Sequence, residues 1–236
     1  MARWPDAAEL LDVDPRPVAD ADAIAPLVVP FGDPAVERRV LSSAVLGGGL
    51  TVARSWLCAT VASDYARTDP SADLQHRAEA AGAPAPTVGM LTAVDVRRVI
   101  RRVRGCATVH ATVGVGCGIA AAGTRMPDWA PVGTINLLVQ VDAPLDDTAL
   151  IGAMQTVVEA KVQALAEAGI AARNGAGFAT GTPTDAVCIA VPPGGGVPFA
   201  GTATVIGGDI AHAVHAAVLT GALADRAGFE ATRSDR

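Results

Sequence analysis

Aromatic side chains are nearly missing from this chain, at 3% of 236 residues. A core must therefore be built from Ala, Val, Leu and Ile. Half of the residues are hydrophobic, enough for one domain or one large compact unit. Positive charge is in deficit, with 18 Lys and Arg against 24 Asp and Glu and a net charge of −6. An acidic chain of this kind is a poor general partner for nucleic acid. No apolar run approaches the length of a bilayer span, so no membrane partner is expected. The first residues, Met1 to Asp6, lead into an acidic segment and not into an apolar signal core. Cysteine is sparse and scattered, at Cys58, Cys106, Cys117 and Cys188. These positions lack metal-ligand spacing and read as reduced thiols of a cytoplasmic protein. No H-E-x-x-H or comparable ligand set occurs, so no metal and no cofactor are expected. The G-x-S-x-G elbow of the α/β-hydrolases is also missing.

What is present reads as a mixed α/β (α+β) chain: alternating, partly antiparallel strands packed against long helices. Three parts are expected: an N-terminal arm over 1–24, a single domain over 25–224 and a polar tail over 225–236. Residues 24–31 suit a first strand. Residues 39–45 and 50–61 read as strands joined by Gly47-Gly48-Gly49. That glycine run serves either a close approach to a ligand or a plain hairpin turn. Ser42 and Ser43 stand just before it. Residues 64–86 are polar and Ala-rich, an insertion or lid region with a helix over 72–81. Thr92 and Asp95 resemble an acidic capping box, so a helix is expected there. Its apolar stripe is Val96, Val99, Ile100 and Val103, and its outer face carries five arginines. We read those as a solvated face and not as an anion site.

Residues 108–115 and 134–141 alternate in polarity, as half-buried strands do. Asn136 shares the second face of its strand with Leu138, and its amide can donate to a substrate carbonyl or an oxyanion. The clearest helix starts at Asp146 or Asp147 and ends near Gly169. Its inner stripe is Leu150, Ile151, Met154, Val157, Val158 and Leu165. At about 100° per residue, Lys161 falls near the centre of that stripe and Glu159 points elsewhere. A lysine there must snorkel, pair with an acid or line a polar pocket. A last helix begins near Gly207, with His212 and His215 facing outward. That leaves His76 and His110 as the histidines available for base chemistry.

The stretch on which the chain turns is Phe178 to Val187, F-A-T-G-T-P-T-D-A-V. Gly181 and Pro183 exclude a strand interior. The stretch is a hydroxyl-rich loop that delivers Asp185 to the mouth of a core strand. Such a loop either caps its own backbone or carries function. Hydroxyl, carboxylate and lysine are the chemistry available: Thr180, Thr182, Thr184, Asp185 and Lys161.

The loop resembles the T-G-T-x-T-D-A signature of the adenosylcobinamide amidohydrolase family. Further stretches fit in order: Leu41-Ser42-Ser43-Ala44 with Gly48-Gly49-Leu50, then Val88 to Ala93, Gly133-Thr134-Ile135-Asn136, Glu159-Ala160-Lys161 and Ala200 to Thr204. Two positions depart from the family pattern, Gly47 and Cys117, where the family tends to carry asparagine. The resemblance implies hydrolysis of the aminopropanol amide of adenosylcobinamide to adenosylcobyric acid in cobalamin salvage. A divergent, non-catalytic corrinoid-binding protein is the alternative, and a homo-oligomer is left open. On this reading Asp185, Lys161, Thr182 and Thr184 carry the chemistry. Ser42, Ser43, Gly48, Gly49, Thr134, Asn136, Thr180 and Gly181 hold the corrinoid.

Overall fold

The computed structural model describes residues 20–33, 35–126 and 133–234. Most of the expected arm (1–19) and the loop around Trp129 lie outside the described residues. Among the described residues nine strands are present: β1 (Leu27–Pro30), β2 (Arg38–Ser42), β3 (Gly49–Ala53), β4 (Ser55–Thr60), β5 (Thr87–Thr92), β6 (Ile100–Arg104), β7 (Ala107–Gly114), β8 (Thr134–Val141) and β9 (Ala186–Val191). Three helices accompany them: α1 (Pro70–Ala80), α2 (Asp147–Glu167) and α3 (Val205–Ser234). The strands form a three-stranded sheet, β1-β4-β5, and a six-stranded sheet, β3-β2-β9-β8-β7-β6. Pairing is antiparallel except for β4–β5 and β8–β9. The expected mixed α/β fold with partly antiparallel strands is therefore the fold observed.

Strand alternation sorts the side chains into layers. From β8, Ile135, Leu137, Val139 and Val141 join the core under α2 and α3. Leu138 instead joins Cys188, Ala190, Trp56, Cys58 and Met90 between the two sheets. Leu57 and Ala59 of β4 turn outward to meet Leu74 and Ala78 of α1. The order is thus α2/α3, large sheet, small sheet, α1. Because β4 is covered on both sides, all six of its residues are buried.

Small residues set the helix spacing. Asp146 caps α2 by accepting the Ala149 N–H at 2.9 Å. The buried face is Ala149, Leu150, Ala153, Thr156, Val157, Ala160, Lys161, Ala164 and Leu165. This alanine-lined face is turned to one side of the expected stripe, and Ile151 and Val158 lie exposed outside it. Alanine lets α2 approach α3 and the sheet closely, where a branched stripe would hold it off.

Four further expectations are corrected. Residues 92–104 are not a helix. The Asp95 carboxylate caps only a single 3-10 turn, Val96–Arg98, and the chain then runs extended as β6. Tertiary partners on α3 fix it there: Arg98 pairs with Asp225 at 3.3 Å and Arg102 donates to Thr220 at 3.1 Å. Residues 50–61 are two strands in different sheets, parted at Arg54. Residues 225–234 are the last turns of α3 and not a tail, and Asp225 is 5% exposed. Finally, no apolar run of bilayer length is expected from the sequence, yet Val205–Ala227 is apolar and long enough to cross a membrane by length and composition. Half of that stretch is buried inside the protein, as suits a core helix.

Candidate functional site

The 180–185 loop is tied down by its own hydroxyls. Gly133 O accepts from Thr182 Oγ1 at 2.7 Å and from Thr184 Oγ1 at 3.0 Å. Asp185 accepts four hydrogen bonds. Its Oδ1 takes the Ile135 N–H at 3.0 Å and the Thr182 hydroxyl; its Oδ2 takes Lys161 Nζ and the Thr182 N–H at 3.2 Å. A hydroxyl has one proton, so Thr182 can serve only one of its two acceptors at a time. The Thr184 proton already satisfies Gly133 O, which leaves the Thr182 proton to the charged oxygen, the stronger acceptor. The lysine and carboxylate side chains are 10% and 13% exposed. The structure therefore pairs Lys161 with an acid, one of the three options its position left open.

Gly181 is required by that pair. A Cβ there would lie 2.5 Å from Asp185 Oδ2 and 2.8 Å from Lys161 Nζ. The glycine of T-G-T is thus the space into which the ion pair fits. Thr180 acts elsewhere, where its hydroxyl accepts the Ala121 N–H at 2.9 Å and joins the loop to the 119–121 segment.

A cavity of about 290 Å³ opens beside this network, between the two sheets. Its polar floor is Thr134, Asn136 and Thr184, and its walls include Val45, Val61, Met90, Leu91 and Ala186. Thr134 and Thr184 share a hydrogen bond at 2.7 Å. Asp185, Thr182 and Lys161 do not line the cavity. Alternation along β9 explains this: Ala186 faces the small sheet, Val187 faces the helices, and Asp185 precedes both on the helix side. The charged pair braces the loop from behind, while the loop's threonine and the Thr134–Asn136 strand end face the cavity.

Other candidates fall elsewhere. Ser42 Oγ donates to Val187 O at 2.9 Å, and Ser43 Oγ accepts the Val187 N–H at 3.1 Å. Both serines extend the β2–β9 ladder and neither lines the cavity. The glycine run is the hairpin turn of its two alternatives. Gly47 has φ +67°, and a Cβ at Gly48 would collide with Ala44 O. Gly48 and Gly49 therefore serve the backbone of their own turn. His76 is exposed on α1, and His110 lies on β7 opposite Leu138 and Arg101. Burial, with Arg101 alongside, holds the His110 imidazole below its ordinary pKa. Cys117 is fully buried and does not line the cavity. Burial pushes the Cys58 thiol, behind Asn136, up to about 11.

The 61–65 segment, with Val61, Ala62, Ser63 and Tyr65, was not foreseen as a wall of the cavity. It opens the polar insertion, and Tyr65 is anchored by donating to Asp73 at 3.1 Å. Asp73 also holds Arg77 at 3.1 Å, four residues on along α1. That i,i+4 spacing was a readable signal that this region is ordered.

Residues 21–229 match the family model described as adenosylcobinamide amidohydrolase. The chain is 33% identical over 190 residues to the adenosylcobinamide amidohydrolase of Halobacterium salinarum, covering 76% of this chain and 78% of that one. In shape it is similar to a β-aminopeptidase of Burkholderia sp., with TM-score 0.42, 16% identity, and coverage of 92% and 89%.

Proposed function

Because the chain belongs to the adenosylcobinamide amidohydrolase family, we propose that it hydrolyses the aminopropanol amide of adenosylcobinamide in corrinoid salvage, in the cytoplasm. The observation that carries this reading is the paired Thr134 and Thr184 hydroxyls on the floor of an otherwise mostly apolar cavity. A space of about 290 Å³ admits a propionamide arm and its aminopropanol, not a corrin ring. The macrocycle then rests outside, with one side arm inserted. Apolar walls suit the arm's methylenes, and Thr134 turns its one proton from Thr184 Oγ1 to the amide carbonyl, since the Thr184 proton is held by Gly133 O.

Water is the co-reactant. Its oxygen joins the acyl carbon to leave adenosylcobyric acid, whose acid proton passes to solvent as the carboxylate forms. The C–N bond breaks, and the nitrogen leaves as 1-amino-2-propanol after gaining a proton. Thr184 touches the substrate in this reading. Asp185 accepts bonds at both oxygens from two donors each, so its part is to fix the loop and pair with Lys161, not to collect a proton from water. Incubation with adenosylcobinamide should yield adenosylcobyric acid and free aminopropanol, and Thr184→Ala should lower kcat. Tight retention of coloured corrinoid without any product would replace this reading with that of a binding protein.

A further inference from the structure

Asn136 is 1% exposed and forms part of the cavity floor. Its amide nitrogen donates to Leu91 O at 2.8 Å and to Cys58 Sγ at 3.5 Å. A backbone carbonyl can only accept, so the contact with Leu91 fixes which end of the amide is nitrogen. Both N–H bonds are then used. The amide therefore cannot donate to an oxyanion, the role its position in the sequence suggested. What remains is Oδ1, which is buried and has no partner. Buried acceptors are seldom left so. Here the unpartnered one belongs to a residue of the cavity floor, on the strand that also supplies Thr134.

We propose that Asn136 is a positioning residue that recognises the leaving side of the scissile bond: its Oδ1 accepts the N–H of a secondary amide. This rests on the amidohydrolase reading. The scissile amide of aminopropanol carries one such N–H, and the nitrogen keeps it when the C–N bond breaks and a second proton arrives. Holding that N–H toward Asn136 turns the nitrogen lone pair, as it develops, away from the floor and toward the side from which the proton comes. The carbonyl is left to the Thr134 hydroxyl at the same time. One acceptor and one hydroxyl thus read the two ends of an amide, and a substrate with no N–H loses half of that recognition.

The test compares two substrates in two proteins. One is adenosylcobinamide; the other is its ester analogue, with oxygen in place of the amide nitrogen. Asn136→Ala also loses the Leu91 contact, but that damage falls on both substrates alike, so the amide-to-ester ratio of kcat/KM isolates Oδ1. The ratio should fall by about tenfold or more, the worth of one buried hydrogen bond. An unchanged ratio overturns the inference. If Asn136→Ala does not fold, Asn136→Ser gives the same comparison. The wild type adds an independent one: its amide-to-ester ratio, divided by that of alkaline hydrolysis, should exceed one by about tenfold, and a quotient of one also overturns it. A wild type that leaves adenosylcobinamide intact refutes the amidohydrolase reading itself, an outcome distinct from turnover with an unmoved ratio.

Discussion

Thr182 and Asp185 are joined twice: the Thr182 N–H reaches Oδ2 at 3.2 Å while its hydroxyl bonds Oδ1. With Ile135 N–H and Lys161 completing the set, each carboxylate oxygen has two donors. Asp185→Asn therefore places an NH2 group against donors whichever way the amide is turned. It also leaves Lys161 without its counter-charge. An ordinary turn cap would tolerate asparagine. Here Tm should fall along with kcat, by a loss of about 3 kcal/mol or more in denaturant unfolding. A variant as stable and active as wild type would show the network to be incidental.

Lys161→Met removes the cation and leaves a shielded carboxylate. Breaking one side of a buried pair typically costs about 3–5 kcal/mol. Adding Asp185→Asn to Lys161→Met should cost much less than it does alone, because the charge to be compensated is already gone. A coupling of about 1 kcal/mol or more in the double-mutant cycle is expected. Strict additivity would separate the two residues energetically.

Gly181→Ala tests the space between them. The added methyl would meet Oδ2 at 2.5 Å and Nζ at 2.8 Å, so the pair must part or the loop must move. We expect a loss of about 1–3 kcal/mol, as overpacking of a tight site gives. Turnover should drop more than it does for alanine at Gly201, where nothing lies within 4 Å. Equal effects at the two glycines would count against the crowding argument.

Asp225 supplies a pH test away from the cavity. Burial raises its pKa above 3.8, opposed by the Val115 N–H and by Arg98. The folded chain therefore keeps this proton to higher pH than the unfolded chain does. Its contribution to stability is greatest below the unfolded pKa and is lost as pH rises through the folded pKa. Asp225→Asn cannot titrate, and its NH2 must face either Arg98 or the Val115 N–H. The variant should be the less stable of the two in acid, and its deficit should shrink as pH climbs toward neutrality. Chemical denaturation across that range checks the sign, and a deficit that grows with pH would refute it.

The strands and α2 were legible because their side chains obey a local period. The alternation of residues 134–141 is real, with one set under the helices and the other between the sheets. Lys161 was legible for the same reason: a charge on an apolar stripe demands a partner. Residues 96–103 failed because Val96, Val99, Ile100 and Val103 fit a helical period. What decides their state is α3, more than a hundred positions away, through Asp225 and Thr220. Ser42 and Ser43 show a different limit. A serine that closes a strand ladder cannot be told by type from one that meets a ligand. Which side of the sheet each loop residue occupies was also hidden, because that depends on the register of β9 against β8.

The six-stranded sheet ends on two unlike strands. β6 presents Arg101, Arg102 and Arg104 along its length, while β3 exposes Leu50 and Val52 at 56% and 42%. Two copies meeting through β6 would oppose like charges, a common guard against edge-to-edge growth. No such guard stands on β3. A fibre needs both edges of every subunit to accept a neighbour, so this molecule can be stopped at a pair. Under heat or crowding, β3 is where stickiness begins, and a single lysine at Val52 would give the sheet two guarded margins.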